Sequence, residues 1–345
     1  MIRQVIVGGG TAGWNAITTL REIDRGNSNI MLISNESPYS RMVLPYYLSK
    51  EIGESHVFTA SKTRLEDLDV ELKLGKDVKG LDVKNNKLFL DDGEEVNYDN
   101  LLIATGSSPV KPPIPGSDGQ NVHSFWTLPQ ARAVTSKIKM NTRVTMIGAG
   151  FISFTILNAL ISRGVDLTVV EVEKRVLPRM LDEQGANIVN EWLVSKGINV
   201  KTESRVISID DHENEKSIKF DDGTELKTDL VIMATGIKPN IEWLSDSDLI
   251  LDDGIPIDEY CRTNVSNVYA AGDVAKGLDI VTGERVVHAI EPTAVQHGRI
   301  AASNMSGKET RYKGSLLMNI LDVFGLEIAS FGSWSDEGSD KIIKE

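Results

Sequence analysis

At 345 residues the chain is too long for one ordinary domain and suits two. Its 37 basic and 50 acidic side chains leave a net charge of −13, which argues against nucleic acid or an anionic membrane surface as partner. No apolar run approaches the roughly 18 residues of a membrane span. The single cysteine, Cys261, rules out an intramolecular disulfide, and His56, His123, His212, His288 and His297 show no ligand spacing, so no metal site is expected.

In chain order, Ile2 to Val7 reads as a short buried strand, Ala12 to Glu22 as a helix and Ile30 to Ile33 as a second strand, with Glu36 just beyond. The turn between the first strand and the helix holds Gly8, Gly10 and Gly13, with Thr11 and Ala12 between them. In this βαβ setting each glycine has its own reason: Gly8 for the tight turn, Gly10 for close approach of a pyrophosphate to the backbone, Gly13 for helix packing. The helix N-terminus then faces the phosphates. Glu36 is the candidate acceptor for ribose hydroxyls. A strand this close to the N-terminus leaves no room for a signal peptide, so a cytoplasmic location is expected.

The pattern then recurs. Thr142 to Ile147 reads as a strand, Phe151 to Arg163 as a helix and Val165 to Val170 as a strand ending at Glu171, with Gly148 and Gly150 in the turn and Phe151 and Ile152 after them. Ser153 replaces the third glycine and should push this helix slightly outward. Glu171 would bond a free 2′-hydroxyl and repel a 2′-phosphate, which favours NADH over NADPH, while Lys174 and Arg175 weigh the other way. Asp91-Asp92-Gly93 leads through Leu101-Leu102-Ile103 to Ala104-Thr105-Gly106. Asp221-Asp222-Gly223 leads likewise through Leu230-Val231-Ile232 to Ala234-Thr235-Gly236. Two dinucleotide sites in one chain imply electron transfer between two dinucleotides.

Further on, Asn267 to Ala275 carries Gly272-Asp273 after a short strand, and Glu291-Pro292-Thr293 opens a helix running to about Asn304, with proline in its first turn. These motifs, in this order over nearly all of residues 1 to 335, resemble the pyridine nucleotide-disulfide oxidoreductase superfamily, in its branch of rubredoxin reductases, ferredoxin reductases, NADH oxidases and the nitrite reductase flavin module. The resemblance implies an α/β fold of two Rossmann-like domains, the second inserted in the first. An FAD domain would span residues 1–112 and 242–311, and an NAD domain 113–241. It implies FAD at Gly8, Gly10, Thr11, Ala12, Gly13, Glu36, Arg41, Ala104, Thr105, Gly106, Gly272, Asp273, Glu291, Pro292 and Thr293. Asp273 would hold a ribityl hydroxyl, and the helix opening at Glu291 would point its positive end at the flavin pyrimidine edge. It implies NAD(H) at Gly148, Gly150, Phe151, Ile152, Glu171, Ala234, Thr235 and Gly236.

The chain also departs from that family. Where one branch carries a redox cysteine before a Leu-Pro-Tyr stretch, this chain has Met42, ahead of Leu44-Pro45-Tyr46. Methionine supplies no thiolate. No protein group is therefore expected to be catalytic, and the flavin itself must pass electrons to the acceptor, such as a small rubredoxin-like or ferredoxin-like protein. An NADH oxidase using oxygen and a non-catalytic NADH-sensing flavoprotein resembling apoptosis-inducing factor are the other readings. Thr155 stands where the second helix commonly carries a glutamate. Tyr312 to Trp334 resembles the start of the family's C-terminal interface domain, which residues 312–345 would carry in abbreviated or truncated form, leaving a homodimer open and weakening the case for it.

Overall fold

The computed structural model describes residues 1–60, 62–212 and 215–332. The chain divides into two compact units.

The first unit comprises Met1–Val43, Gly53–Ser108 and Ile237–Leu317. Its centre is a five-stranded parallel sheet in the spatial order Val268–Ala270, Asn100–Ile103, Ile2–Val7, Ser28–Ser34, Val70–Leu74. Val5, Ile6, Ile30 to Ile33 and Leu101 to Ile103 are almost fully buried, as strands covered on both faces must be. The helix Thr11–Asp24 buries Ala12, Gly13, Ala16, Ile17 and Leu20, a stripe at helical spacing. It packs on the helix Glu291–Met305. Gly298 makes that packing possible, because a Cβ there would fall 2.2 Å from Ala12 O.

The second unit comprises Leu44–Ile52, Pro109–Gly236 and, among the described residues beyond these, 318–332. Its parallel sheet runs Asn199–Lys201, Asp166–Val170, Arg143–Ile147, Leu230–Met233, Val122–Ser124. The helix Phe151–Ser162 buries Ser153, Phe154, Ile156, Leu157, Ala159 and Leu160. The observed elements differ from those read in the sequence by one or two residues at their ends, where helices fray.

The repeated Asp-Asp-Gly has a shared local meaning. In each unit it turns a hairpin: Lys87–Leu90 into Glu95–Asn97, and Lys216–Phe220 into Glu225–Thr228. Gly93 at φ +85° donates to Leu90 O, and Gly223 at φ +81° donates to Phe220 O. Only glycine takes that backbone without strain.

Two segments group differently from the sequence reading. Leu44–Ile52 lies within the residues read as the first domain, yet it clusters with the second unit. Leu44 and Leu48 are buried, and Arg163 Nη1 donates to Leu48 O at 2.9 Å. The hairpin Met318–Val323 and Leu326–Phe331, read as the start of a separate interface domain, also belongs to the second unit. It is tied there by Trp192 Nε1 donating to Val323 O at 2.8 Å and by Asn158 Nδ2 donating to Asp322 O at 3.1 Å. The remainder of that stretch, Trp334 included, lies outside the described residues.

Candidate functional site

In the first unit the glycine loop follows Val7 at the carboxyl end of the sheet. Gly8 has φ +109°, and a Cβ there would stand 2.1 Å from Ala104 O, so the loop rests directly on the Ala104-Thr105-Gly106 strand end. A Cβ on Gly13 would stand 2.0 Å from Gly8 O. Around Gly10 the opposite holds, with no atom within 4 Å of a Cβ position. The helix beginning at Thr11 has no side-chain cap and no acid in its first turn. Two crowded glycines thus frame an open one at a helix end rich in unpaired amides, which is an anion-binding arrangement.

Polar side chains reach the same strand ends. Glu36 accepts from Tyr39 Oη at 2.7 Å and from Arg41 Nη2 at 3.2 Å. Arg41 Nη1 donates to Ser107 O at 3.2 Å, and Ser107 Oγ donates to Asp273 Oδ2 at 2.7 Å. A hydrogen-bonded chain therefore joins Glu36 to Asp273. Burial pushes the Asp273 carboxyl above its ordinary range, against the pull of Ser107 and Arg41. Gly272, at φ +77°, lies where a Cβ would be 3.2 Å from Ala12 Cβ and 3.6 Å from Ala294 Cβ, so the Gly-Asp turn meets the first turns of both helices. Thr105 Oγ1 donates to Asn240 O at 3.0 Å. Glu291 and Pro292 form the first turn of Glu291–Met305, again without a side-chain cap. The Thr293 side chain is 3% exposed, and its hydroxyl donates to Ser315 Oγ at 2.9 Å.

The second unit repeats the frame. Gly148 has φ +104°, with a Cβ position 2.3 Å from Ala234 O, and Gly150 again has open space around it. The helix from Phe151 is uncapped and lacks a first-turn acid. Ser153 fills the third glycine position. Its Oγ donates to Gly148 O at 2.5 Å. Phe151 and Ile152 are half-buried. Thr235 Oγ1 donates to Val110 O at 2.7 Å and Val110 N to Gly236 O at 2.9 Å. Thr155 Oγ1 is turned back to Ile152 O at 2.7 Å.

Glu171 is 7% exposed and accepts from Ala149 N at 2.6 Å and Glu173 N at 3.0 Å. Its carboxylate is thus pinned against the glycine loop. Leu177 N donates to Ala149 O at 2.8 Å, which folds the following segment over that loop. A cavity of about 270 Å³ beside it is lined by Glu173, Lys174, Arg175, Pro178 and Arg179. Sequence reasoning singled out Lys174 and Arg175 but missed Arg179, and it missed Ser107, Tyr39 and Gly298 in the first unit. Only Gly298 carried a local signal, as a glycine inside a helix, costing about 1 kcal/mol relative to alanine.

Met42 is half exposed and Cys261 is fully buried, with its thiol pushed up by burial. Among the described residues no group of three or more His, Cys, Asp or Glu could hold a metal ion, and no helix is long and apolar enough to cross a membrane.

Comparison with known proteins agrees with this geometry. The family model for pyridine nucleotide-disulphide oxidoreductases matches residues 2–298. The chain is 31% identical over 96% of its length to an NADH oxidase of Methanocaldococcus jannaschii, covering 76% of that protein. It is 30% identical over 99% of its length to the NADH-dependent phenylglyoxylate dehydrogenase subunit epsilon of Aromatoleum evansii, covering 82% of it. Among solved structures, a NAD-dependent persulfide reductase from A. fulgidus superposes with a TM-score of 0.90 at 29% identity, over 95% of this chain and 63% of that one. With two glycine-framed helix ends in one chain and a family match spanning both, the chain belongs to the pyridine nucleotide-disulphide oxidoreductase family and is an NAD(P)H-dependent flavoprotein oxidoreductase.

Proposed function

We propose that the first unit holds FAD and the second NADH, and that electrons leave the flavin directly for a redox centre on a partner protein. When bound, the flavin supplies the chemistry, taking a hydride from the nicotinamide and releasing electrons to the acceptor. The chain's own residues bind and orient. Gly8, Gly10 and Gly13, with the amides of Thr11 and Ala12, would take the FAD pyrophosphate. Glu36, fixed by Tyr39 and Arg41, would accept from ribose hydroxyls, and Asp273 from a ribityl hydroxyl. Ala104 to Gly106 and Gly272 would line the cofactor with backbone. Glu291, Pro292 and the Thr293 amide would present the helix's positive end. In the second unit, Gly148, Gly150, Phe151 and Ile152 would receive the NADH pyrophosphate, Glu171 the ribose, and Ala234 to Gly236 the backbone contacts.

One observation supports the direct transfer: the single cysteine of the sequence, Cys261, is buried. By the resemblance Met42 stands where one branch of the family carries its thiol, and Cys261 is 0% exposed with its thiol pushed up by burial. The Aromatoleum relative is named as a subunit of a larger dehydrogenase, which supports a protein acceptor. The Methanocaldococcus relative, named an NADH oxidase, favours a second reading in which dioxygen takes the electrons. Rapid reoxidation of the reduced protein by air would select that reading.

The test is stopped-flow bleaching of the flavin band by each nucleotide. The carboxylate of Glu171 beside the ribose should make NADH at least about tenfold faster than NADPH, the equivalent of about 1.4 kcal/mol. Cys261→Ala should leave the NADH rate within about twofold. A preference for NADPH would show that Lys174, Arg175 and Arg179 govern the pocket. Loss of reduction in Cys261→Ala with FAD still bound would end the thiol-free path.

A further inference from the structure

The helix Glu291–Met305 covers a buried polar cluster that the electron path above does not use. His288 is 1% exposed, and its Nε2 lies 2.9 Å from Asp279 Oδ2. Its Nδ1 is buried with no hydrogen-bond partner among the described residues. Asp279 Oδ1 also accepts from Val281 N and Thr282 N, each at 2.8 Å, and from the Thr282 hydroxyl. His297 is fully buried, has no partner on either ring nitrogen, and stacks edge-on against Tyr312 with centroids 4.6 Å apart. Both rings close over Gly277, where a Cβ would stand 2.9 Å from Tyr312 Oη and 3.1 Å from His297 Nε2. Tyr312 Oη donates to Ser315 Oγ at 2.8 Å.

The backbone sets this cluster beside the segments assigned to flavin. Strands Ala275–Leu278 and Arg285–Val287 pair antiparallel, with Lys276 opposite Val287. His288, one residue beyond that pair, therefore comes level with Ala275, two residues from Asp273. In the other direction it is three residues from Glu291, where the helix begins.

Charge in the cluster is nearly fixed. Burial pushes the Asp279 carboxyl up, but the Thr282, His288 and Val281 donors outweigh it and hold it below the usual carboxylate range, so it stays ionised. Burial, and then nearby His288, push His297 down to about 3, which keeps it neutral. Burial pushes Tyr312 up to about 12 and the Cys261 thiol upward too. Lys276, on the facing strand, is paired with Asp252 and Asp253. Glu284 and Arg285 on the hairpin are exposed, and Glu291 is half-buried at the helix start. Within the cluster, His288 alone has a carboxylate partner on one ring nitrogen and an unpartnered second ring nitrogen able to take a proton.

We propose that His288 takes up one proton when the flavin is reduced, so that the His288–Asp279 pair goes from net negative to neutral as the bound cofactor gains negative charge. The proposal rests on FAD occupying the first unit. NADH delivers a hydride, two electrons and one proton, and leaves as NAD⁺. A further proton, from solvent, forms one N–H bond at Nδ1. In a low-dielectric interior, placing two uncompensated negative charges close together is unfavourable, and the proton removes that cost.

The test is the midpoint potential of the FAD-loaded protein from about pH 5 to about pH 8. His288→Gln keeps a donor toward Asp279 but takes no proton. Across the titration range the unaltered protein should show a slope steeper than the variant's by about 30 mV per pH unit, the equivalent of one extra proton per two electrons. A second measurement does not depend on the variant folding: imidazole ¹⁵N shifts of His288 in the unaltered protein should pass from neutral to charged on reduction. Equal slopes in the two proteins, or His288 shifts unchanged by reduction, would overturn the proposal while leaving FAD binding intact. A protein that binds no FAD would overturn the flavin reading and this one with it.

Discussion

Gly150→Val is expected to cripple NADH use while FAD stays bound. Gly150 has φ −84°, a conformation open to any residue, and no protein atom lies within 4 Å of a Cβ there. The fold should therefore accept the side chain. What the branched side chain fills is the space at the uncapped helix end, where a pyrophosphate would meet the backbone amides. Losing one charge-assisted hydrogen bond costs about 1.5 to 3 kcal/mol, which is about tenfold to two-hundredfold in affinity. The dependence of flavin bleaching on NADH concentration, with FAD content per chain as control, measures it. Unchanged NADH affinity would remove the second glycine loop from nucleotide binding. Gly148→Val is the contrasting case: its φ of +104° and the Ala234 carbonyl at 2.3 Å should block folding of the unit itself.

Asp273→Ala should strip the FAD while stabilising the apoprotein at neutral pH, or at worst leaving it unchanged. The carboxylate would give a ribityl hydroxyl a charge-assisted hydrogen bond worth roughly 1.5 to 3 kcal/mol, so FAD retention should fall by about tenfold or more. In the apoprotein the same group opposes folding. The unfolded carboxyl ionises near 3.8, the folded one only above that, because burial disfavours its charge. Folding therefore binds a proton in that window, and stability falls as pH rises through it. Above the window the buried charge is a penalty that alanine escapes, offset in part by the lost Ser107 bond. Flavin absorbance per chain after dialysis, with denaturant unfolding of both apoproteins at acid and neutral pH, separates the two effects. Full FAD retention would remove Asp273 from the cofactor site.

Local pattern made the βαβ frames legible. Both glycine loops, the strands Ile2–Val7 and Arg143–Ile147, and the helices after them follow from apolar periodicity and a few fixed glycines. The repeated Asp-Asp-Gly was visible as a repeat, although its role as a hairpin turn was not. What escaped are choices of partner across long stretches of chain. Nothing in Leu44 to Ile52 says that its leucines bury in the second unit, where the Arg163 guanidinium caps it. Nothing near Glu171 says that its carboxylate turns to the Ala149 amide. Thr293 reads as a flavin contact from its place in a helix first turn, and only packing reveals that its hydroxyl is committed to Ser315. The pairing of His288 with Asp279 spans a hairpin whose register local spacing does not specify.

The claim that electrons pass from flavin to acceptor with no sulfur between them is most directly tested by counting electrons. Anaerobic reductive titration of the FAD-loaded protein should end at about two electrons per flavin, the capacity of the cofactor alone, and the same count should hold in Cys261→Ala. An end point near four electrons per flavin, falling to two in Cys261→Ala, would place a redox-active sulfur in the path and contradict the account.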